Sequence, residues 1–450
     1  MSTREPLPPP PRRLKLVVIG PHFAPDTAPT GTVLTRIVEE LAALGHEIHV
    51  VAALPWYRAH QIEPEWRGGV GRTEITAWGT ITRVHPFPGG DKRDLVRRAL
   101  GFAGFSVLAG LAGMRAGGWF RHADAVLAMS PPLTLGLTGW AVGLTHRAPL
   151  VFNIQDVFPD AAVRTGALRN ARLIRLAEWL ERVSYRRAHA VTVLSDDLAA
   201  NVGAKVDDPA KVHVIPNFVD TDAIAPRDRM TLYRRELGIG DEPVVLYAGN
   251  VGFSQSLDLV LHAARAMPDV TFVINGDGAA RRELEERATG LANMRFAGYQ
   301  PVDRLGEVLA SGDVHVVPLR AGLGTVSVPS KTYSSLAAAR PVVAAIDPDT
   351  EIPRLLAAAG AGIAVPPDDP EAFTAALRAL VDDPDRRRRL GASGRAWVEA
   401  EASPTAVGLA YAELLAQVEE LVRAAVVVLG TAAPVDVDDA RPLLARTDAV

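Results

Sequence analysis

One lysine stands out for where it is put. In "TVSVPSKTYSSLAAARPVV", residues 325–343, Lys331 follows Pro329 and Ser330 at the start of a helical stretch whose exposed opening turn otherwise offers only hydroxyls. A proline just ahead of a helix fixes how the chain turns into it. The ammonium is therefore placed, and its chemistry would be to meet negative charge building on a ligand or leaving group. A solvated helix-start lysine is the plainer alternative. A second feature is "NGDGAAR", where Gly276 and Gly278 follow an apolar run. Glycines so spaced let backbone amides approach a phosphate, but the dinucleotide fingerprint wants a third glycine where Arg281 stands, and turn glycines also serve structure alone. No G-x-x-x-x-G-K-[ST], H-E-x-x-H or G-x-S-x-G run occurs, and the 11 histidines show no metal-ligand spacing. The expectation is chemistry with no metal, no covalent nucleophile and no cofactor. His22, near the C-terminal end of the first strand, reads as a solvated loop histidine, with a histidine facing the cleft as the alternative.

The elements that would position these residues come in two series. "LKLVVIG" at 14–20 is an apolar run ending in glycine, followed by a loop and a helix with Leu34, Ile37, Val38 and Leu41 on one face and Gly45 as its stop. "EIHVVAAL" is the next strand, giving a unit of the parallel-sheet type. Further strands are expected at "TRVHPF", "DAVLAMS", "LVFNI" and "AVTVLS". Residues 212–230 have the composition of a crossover. "PVVLYAGNVGFSQSLDLVLHAARAM" then restarts the strand, glycine loop, helix grammar, and "VTFVING", "MRFAGY", "VHVVPL" and "PVVAAID" continue it. The fold class expected is α/β, with two facing Rossmann-like doubly wound domains and a cleft between them. The boundaries read as a disordered Pro-rich arm at 1–13, an N-terminal domain at 14–220, a C-terminal domain at 221–403, a crossover helix at 404–422 returning toward the first domain, and a flexible tail at 423–450.

The totals agree with a soluble protein of about two domains: 450 residues, 48% hydrophobic and 22% charged. A net charge of -4 leaves no nucleic-acid footprint, and the absence of cysteine rules out disulfides and thiolate metal sites. A cytoplasmic location is expected, since the start of the chain lacks the apolar core of a signal peptide. Residues 125–145 are uncharged for the length of a membrane span, but Pro131 and Pro132 break them into strand, turn and helix. The segment 95–115, with 16 uncharged residues at 99–114 flanked by Arg97, Arg98 and Arg115, suits either a buried helix or one lying on a membrane's inner face.

Taken in order, "GHEIHVV", "IPNFVDTDAIAP", "LYAGNVGFSQSLDLVLHAA", "NGDGAARRELEE", "MRFAGYQPVDRLGEVLASGDVHVVPL", "PSKTYSSLAAARPVVA" and "GAGIAVPPDDPEAFTAAL" resemble the successive signatures of the family 4 glycosyltransferases of GT-B fold. The segments "SPPLTLGLTGW", "QDVFPD" and "PSKTY" are similar to a bacterial branch, the WbuB-type sugar transferases of surface-polysaccharide assembly. The resemblance implies a retaining transfer from a nucleotide diphosphate sugar, most readily a UDP-sugar, to a hydroxyl of a cell-envelope glycan or lipid-linked acceptor, and the lack of a metal-spaced acidic or histidine cluster adds the expectation that it is metal-independent. It implies that Gly276 and Gly278 flank the nucleotide, that Tyr299 lies in the base-side loop, and that Gly31 belongs to an N-terminal loop touching the diphosphate. Asp156 matches an acidic position near the reacting centre, with Gln155 where many relatives carry histidine.

Three departures from the family's pattern bear on the chemistry. Asn250 and Gln255 replace the usual arginine and lysine after the first strand of the second domain. Val326 and Ser334 stand where a glutamate pair contacts donor sugar and ribose, and Ala339 replaces a glycine, a change expected to touch only helix packing. With the two cations gone, the lysine at 331 becomes the candidate to balance the leaving diphosphate, with Asn250, Gln255, Ser330 and Ser334 around the donor. Two other readings stay open: a sugar-nucleotide epimerase of the same fold, and a catalytically silent nucleotide-sugar binding or scaffold protein.

Overall fold

The computed structural model describes residues 12–58, 61–69, 71–88, 95–118, 122–160, 170–325 and 328–429. The expected arm up to residue 11, the tail from 430 and Val326 lie outside the described residues. The chain divides into two compact units, one of Met1–Leu194, Ala199–Ile215 and Gly408–Val450, the other of Ser195–Leu198 and Pro216–Val407.

The first unit is built on eight strands: β1 (Lys15–Ile19), β2 (Glu47–Ala53), β3 (Gly71–Thr76), β4 (Gly79–Val84), β5 (Ala125–Ser130), β6 (Leu150–Ile154), β7 (Ala190–Val193) and β8 (Val212–Val214). They lie in the order β3-β4-β2-β1-β5-β6-β7-β8. All pairs are parallel except β3 with β4. The central strands are continuous apolar runs because both faces are covered; every residue of β5 and β6 is buried. Strand β3 escaped the sequence reading because "GRTEIT" has little to bury, and Ile75 is 90% exposed. It is a polar edge strand, which discourages pairing with another chain. The helix Pro29–Ala43 starts on its proline and buries Leu34, Ile37, Val38 and Leu41, and Gly45 stops it at φ 90°. Residues 125–145 form β5 and then the helix Thr134–His146. No helix among the described residues is long and apolar enough to cross a membrane.

The second unit carries β9 (Val244–Ala248), β10 (Thr271–Asn275), β11 (Met294–Ala297), β12 (Val314–Pro318), β13 (Val342–Ala345) and β14 (Gly362–Val365), all parallel, in the order β11-β10-β9-β12-β13-β14. This is the six-stranded Rossmann order, whose direction of winding reverses between β9 and β12. Alternate strand residues feed two cores. Tyr247, Phe272 and Ile274 pack with the helices Asp258–Ala266 and Pro370–Val381. Val317, Val342 and Ala344 pack on the other face with Leu336, Leu355 and Leu356. Ala339 sits at φ 56°. The glycine usual there is thus explained by left-handed backbone, which costs a residue with a Cβ about 1 kcal/mol, rather than by helix packing alone as the sequence suggested. The C-terminal helix is longer than expected, Pro404–Leu429. In the first unit its Tyr411 hydroxyl accepts a hydrogen bond from Asn153 Nδ2 at 2.6 Å.

Candidate active site

In an open parallel sheet, ligands gather outside the strand C-termini at the point where winding reverses. In the second unit that point holds a cavity of about 420 Å³, formed by the ends of β9, β10 and β12 and by the start of the helix Lys331–Ala337. Its wall includes Asn250, Gln255, Tyr299, Ser330, Lys331 and Ser334, so the structure brings together six of the residues singled out from the sequence. Among the described residues, no aspartate or glutamate lines it.

Lys331 is the cavity's charge. Of the two readings the sequence left for it, the solvated helix-start lysine does not hold: the ammonium is set into the cavity wall. Nζ lies 3.0 Å from the Tyr247 hydroxyl and 4.6 Å from the centre of that ring. The Cβ that Gly249 lacks would fall 3.1 Å from Lys331 Cε, so this glycine leaves room for the stem. No carboxylate among the described residues pairs with Lys331. Burial without a counter-charge lowers its pKa to about 8. Such a cation is held ready for an anion from outside. The Tyr247 hydroxyl in turn donates to the Asn250 carbonyl, tying Lys331 to the loop after β9.

That loop is braced mostly by itself and by its neighbour. Gln255 Oε1 accepts from the Gly252 amide at 3.0 Å, and Gln255 Nε2 donates to Ser254 Oγ at 3.0 Å, so this side chain is already largely engaged. The amides of Gly249 and Val251 donate to the carbonyls of Asn275 and Asp277, both at 2.9 Å. Gly276 and Gly278 have φ of 152° and 159°, and an added Cβ would fall 1.8 Å from the Gly249 carbonyl oxygen and 2.3 Å from that of Val251. Their glycine identity is therefore fixed by the meeting of two loops, and neither lines the cavity. Tyr299 is 61% exposed at the rim and donates to the Asp277 carbonyl at 3.3 Å. Asn275, which the sequence reading passed over, lines the cavity with its Oδ1 held by the Tyr233 hydroxyl at 2.7 Å. Two loops beyond are fastened by carboxylates that are not part of its lining: Asp347 accepts from the Gly322 and Gly324 amides, and Asp368 from the Ala321 amide.

The remaining expected residues lie in the first unit. Asp156 follows β6 and its side chain reaches solvent, while the protein around its base pushes its carboxyl above the ordinary carboxylate value. Gln155 is buried and donates to Asn153 Oδ1 at 2.8 Å, part of a network with Thr192 and Tyr411. Gly31 belongs to the first turn of the helix Pro29–Ala43, not to a loop before it. A Cβ there would fall 2.8 Å from His22 Cβ. His22 is itself 9% exposed, not solvated, with Nδ1 2.7 Å from the buried Asp26 carboxylate.

Two family descriptions match this chain: a glycosyl transferase 4-like domain over residues 30–217 and a glycosyl transferases group 1 domain over 242–383. The chain belongs to the family 4-type glycosyltransferases. It is 28% identical over 380 residues to the putative colanic acid biosynthesis glycosyl transferase WcaI of Escherichia coli K12, spanning 81% of this chain and 91% of that protein. Among solved structures, the sucrose-phosphate synthase of Thermosynechococcus elongatus superposes with a TM-score of 0.68 at 19% identity, covering 91% of this chain and all of that one. HepE of Anabaena, solved in complex with UDP and glucose, gives 0.61 at 15% identity over 90% of this chain and all of its own. These likenesses assign the GT-B fold.

Proposed function

We propose that this transferase moves a hexose or N-acetylhexosamine-type sugar from a UDP-sugar to a hydroxyl of a cell-envelope glycan or lipid-linked acceptor, with retention and without a metal. The observation that carries the reading is Lys331: a lysine without a counter-charge in an acid-free cavity at the winding reversal of a Rossmann sheet. A diphosphate departing there builds negative charge, and a fixed ammonium in a partly desolvated wall stabilises it. Asn250, Gln255, Ser330 and Ser334 supply neutral polar contacts, Tyr299 a face for the base, and Asp156 an acceptor-side carboxylate. Loss of the family's two other cations makes Lys331 carry more of the load, and loss of the ribose glutamate leaves Ser334 for that contact. The likeness to WcaI, named for colanic acid biosynthesis, supports a surface-polysaccharide acceptor, and the complex of HepE with UDP supports the nucleotide. The WbuB-type branch belongs to the same proposal.

Thermal shift with UDP-, GDP- and ADP-sugars, followed by donor turnover in excess EDTA, tests this. A bound donor raises the melting temperature, and the expected result is a rise with a UDP-sugar and turnover unchanged by chelator. Binding without turnover would replace the transferase by the silent binder, and activity restored by magnesium or manganese would overturn metal independence.

The protein is further proposed to work at the inner face of a membrane through the helix Leu95–Gly113, where Leu100, Val107 and Leu111 are 67%, 63% and 48% exposed and the sequence adds Arg97 and Arg98. Co-sedimentation with anionic vesicles at low salt is expected; recovery in the supernatant removes this part.

A further inference from the structure

The first unit has its own winding reversal, between β1 and β5, and the loop leaving β1 there carries a group that the reading of the second unit leaves unused. His22 Nδ1 lies 2.7 Å from Asp26 Oδ2, and the other carboxylate oxygen of Asp26 accepts the Tyr57 backbone N–H at 3.3 Å. Trp56 stacks on the imidazole at 5.4 Å between ring centres, and Tyr57 meets it edge-on at 5.5 Å. The ring is thus gripped by a carboxylate and two aromatic side chains. In the tautomer that gives Nδ1–H to Asp26, Nε2 is the ring nitrogen whose lone pair faces outward. Nε2 has no hydrogen-bond partner among the described residues, and it is not among the buried polar atoms shut off from solvent. A histidine aimed by a buried carboxylate, with its second nitrogen left open, has the build of a group meant to receive a hydroxyl.

We propose that His22 is an acceptor-sugar contact of this enzyme, its Nε2 accepting a hydrogen bond from a hydroxyl of a neutral sugar, with Asp26 as the residue that positions it. The aromatic side chains Trp56 and Tyr57 offer flat apolar faces of the kind that pack on the C–H face of a sugar ring. The buried Asp26 carboxylate beside the site disfavours an anionic ligand, which separates it from the cation-bearing cavity of the second unit. Arg83 does not offset that charge outward, since it is 1% exposed and spent on Glu74 and the carbonyls of Phe23 and Ala24. The assignment rests on the transferase reading for the word acceptor, but the site itself is tested without any donor.

The test is titration of the full-length chain, labelled with 13C-histidine, with methyl α-D-glucopyranoside, methyl α-D-galactopyranoside and methyl α-D-mannopyranoside. The His22 imidazole signal is assigned by its absence in His22→Gln. The expected result is a saturable shift of that signal with at least one glycoside, and an affinity about tenfold weaker in Asp26→Asn, the effect of losing one strong hydrogen bond behind the contact. A His22 signal that stays still with all three glycosides overturns the proposal. So does an Asp26→Asn protein that binds as tightly as the parent. Donor binding, read separately by thermal shift with UDP-glucose and UDP-N-acetylglucosamine, distinguishes the failures. Loss of the donor reading leaves the His22 shift in place, while a donor that binds beside a silent His22 removes only this inference.

Discussion

Two sheets of the same doubly wound type reverse their winding at comparable points, β1 against β5 in the first unit and β9 against β12 in the second, yet the loops there carry opposite chemistry. At β9 and β12 the described wall mixes apolar and neutral polar side chains with one lysine and no acid. At β1 the feature is a buried carboxylate holding a histidine between aromatic rings. The backbone topology provides a place for a ligand twice, and the side chains decide what each place can take. A desolvated ammonium with no partner of its own suits a diphosphate, whereas a histidine aimed by a carboxylate suits a neutral hydroxyl.

The sharpest way to break that contrast is Lys331→Met, which keeps an apolar stem and removes the charge. Donor turnover is expected to fall by about a hundredfold or more, as for loss of one preorganised donor to a developing anion. The melting temperature at pH 7 is expected to hold or rise, because burial without a counter-charge penalises the ammonium in the folded state. Lys331→Arg should recover only part of the rate, since the guanidinium is larger and forked where Tyr247 and Gly249 leave room for a stem. Normal turnover in Lys331→Met, with a lowered melting temperature, would make the lysine a packing residue on Tyr247 and erase the difference between the two units.

The glycines sharpen the same comparison. Gly31 and Gly276 both read from the sequence as places where a phosphate approaches the backbone, and the structure gives each a packing reason of a different weight. At Gly276 a Cβ would lie 1.8 Å from a backbone oxygen at φ 152°, with no flexible atom to yield. Gly276→Ala is expected to destabilise the protein by about 3 kcal/mol or more in denaturant unfolding, the upper range for a single substitution. At Gly31 the clash is with His22 Cβ at 2.8 Å, in ordinary helical backbone. Gly31→Ala should cost less, about 2 kcal/mol, because the loop backbone at His22, 3.2 Å away, must shift together with His22 Cβ but is not at a positive φ. Equal costs would mean that the loop leaving β1 is as rigid as the seam between the loops after β9 and β10.

The fold was legible because most of its strands are apolar runs, β1, β9, β10 and β11 followed directly by glycine, and its helices keep their periodicity; β3 was hidden because an exposed polar edge leaves no pattern. Within the site, Lys331, Ser330, Asn250 and Tyr299 could be found from their neighbours in sequence. The partners that define their chemistry could not. Tyr247 meets Lys331 across 84 positions, and nothing local in "VVLYAG" announces it. His22 and Asp26 are only four apart, a spacing that would have suggested a pair had the loop been expected to turn helically. The ring of Trp56, which makes the pair a gripped one, arrives from the end of the next strand. Gly276 and Gly278 misled in the other direction, since a glycine needed by a neighbouring loop and one needed by a ligand look the same in one sequence.

The pH dependence of Lys331 ties stability and activity to a single group. Lys331 ordinarily would titrate near 10.5 and is lowered to about 8 in the fold. Between those values the unfolded chain holds a proton that the folded chain has released, so this group makes stability rise with pH from about 8 to 10.5 and adds no slope below. The protonated form is the one proposed to meet the diphosphate, so kcat/KM for the donor should decline above pH 8, toward tenfold per unit, because this parameter reports the free enzyme's ionisation. The two slopes therefore have opposite signs in one window, a signature that general unfolding at high pH cannot imitate. Both slopes should vanish in Lys331→Met. In Lys331→Arg the residual activity should stay level across the window, since a guanidinium keeps its charge there. A parent enzyme whose kcat/KM holds steady to pH 10 would show that the charge on Lys331 is not what the donor meets.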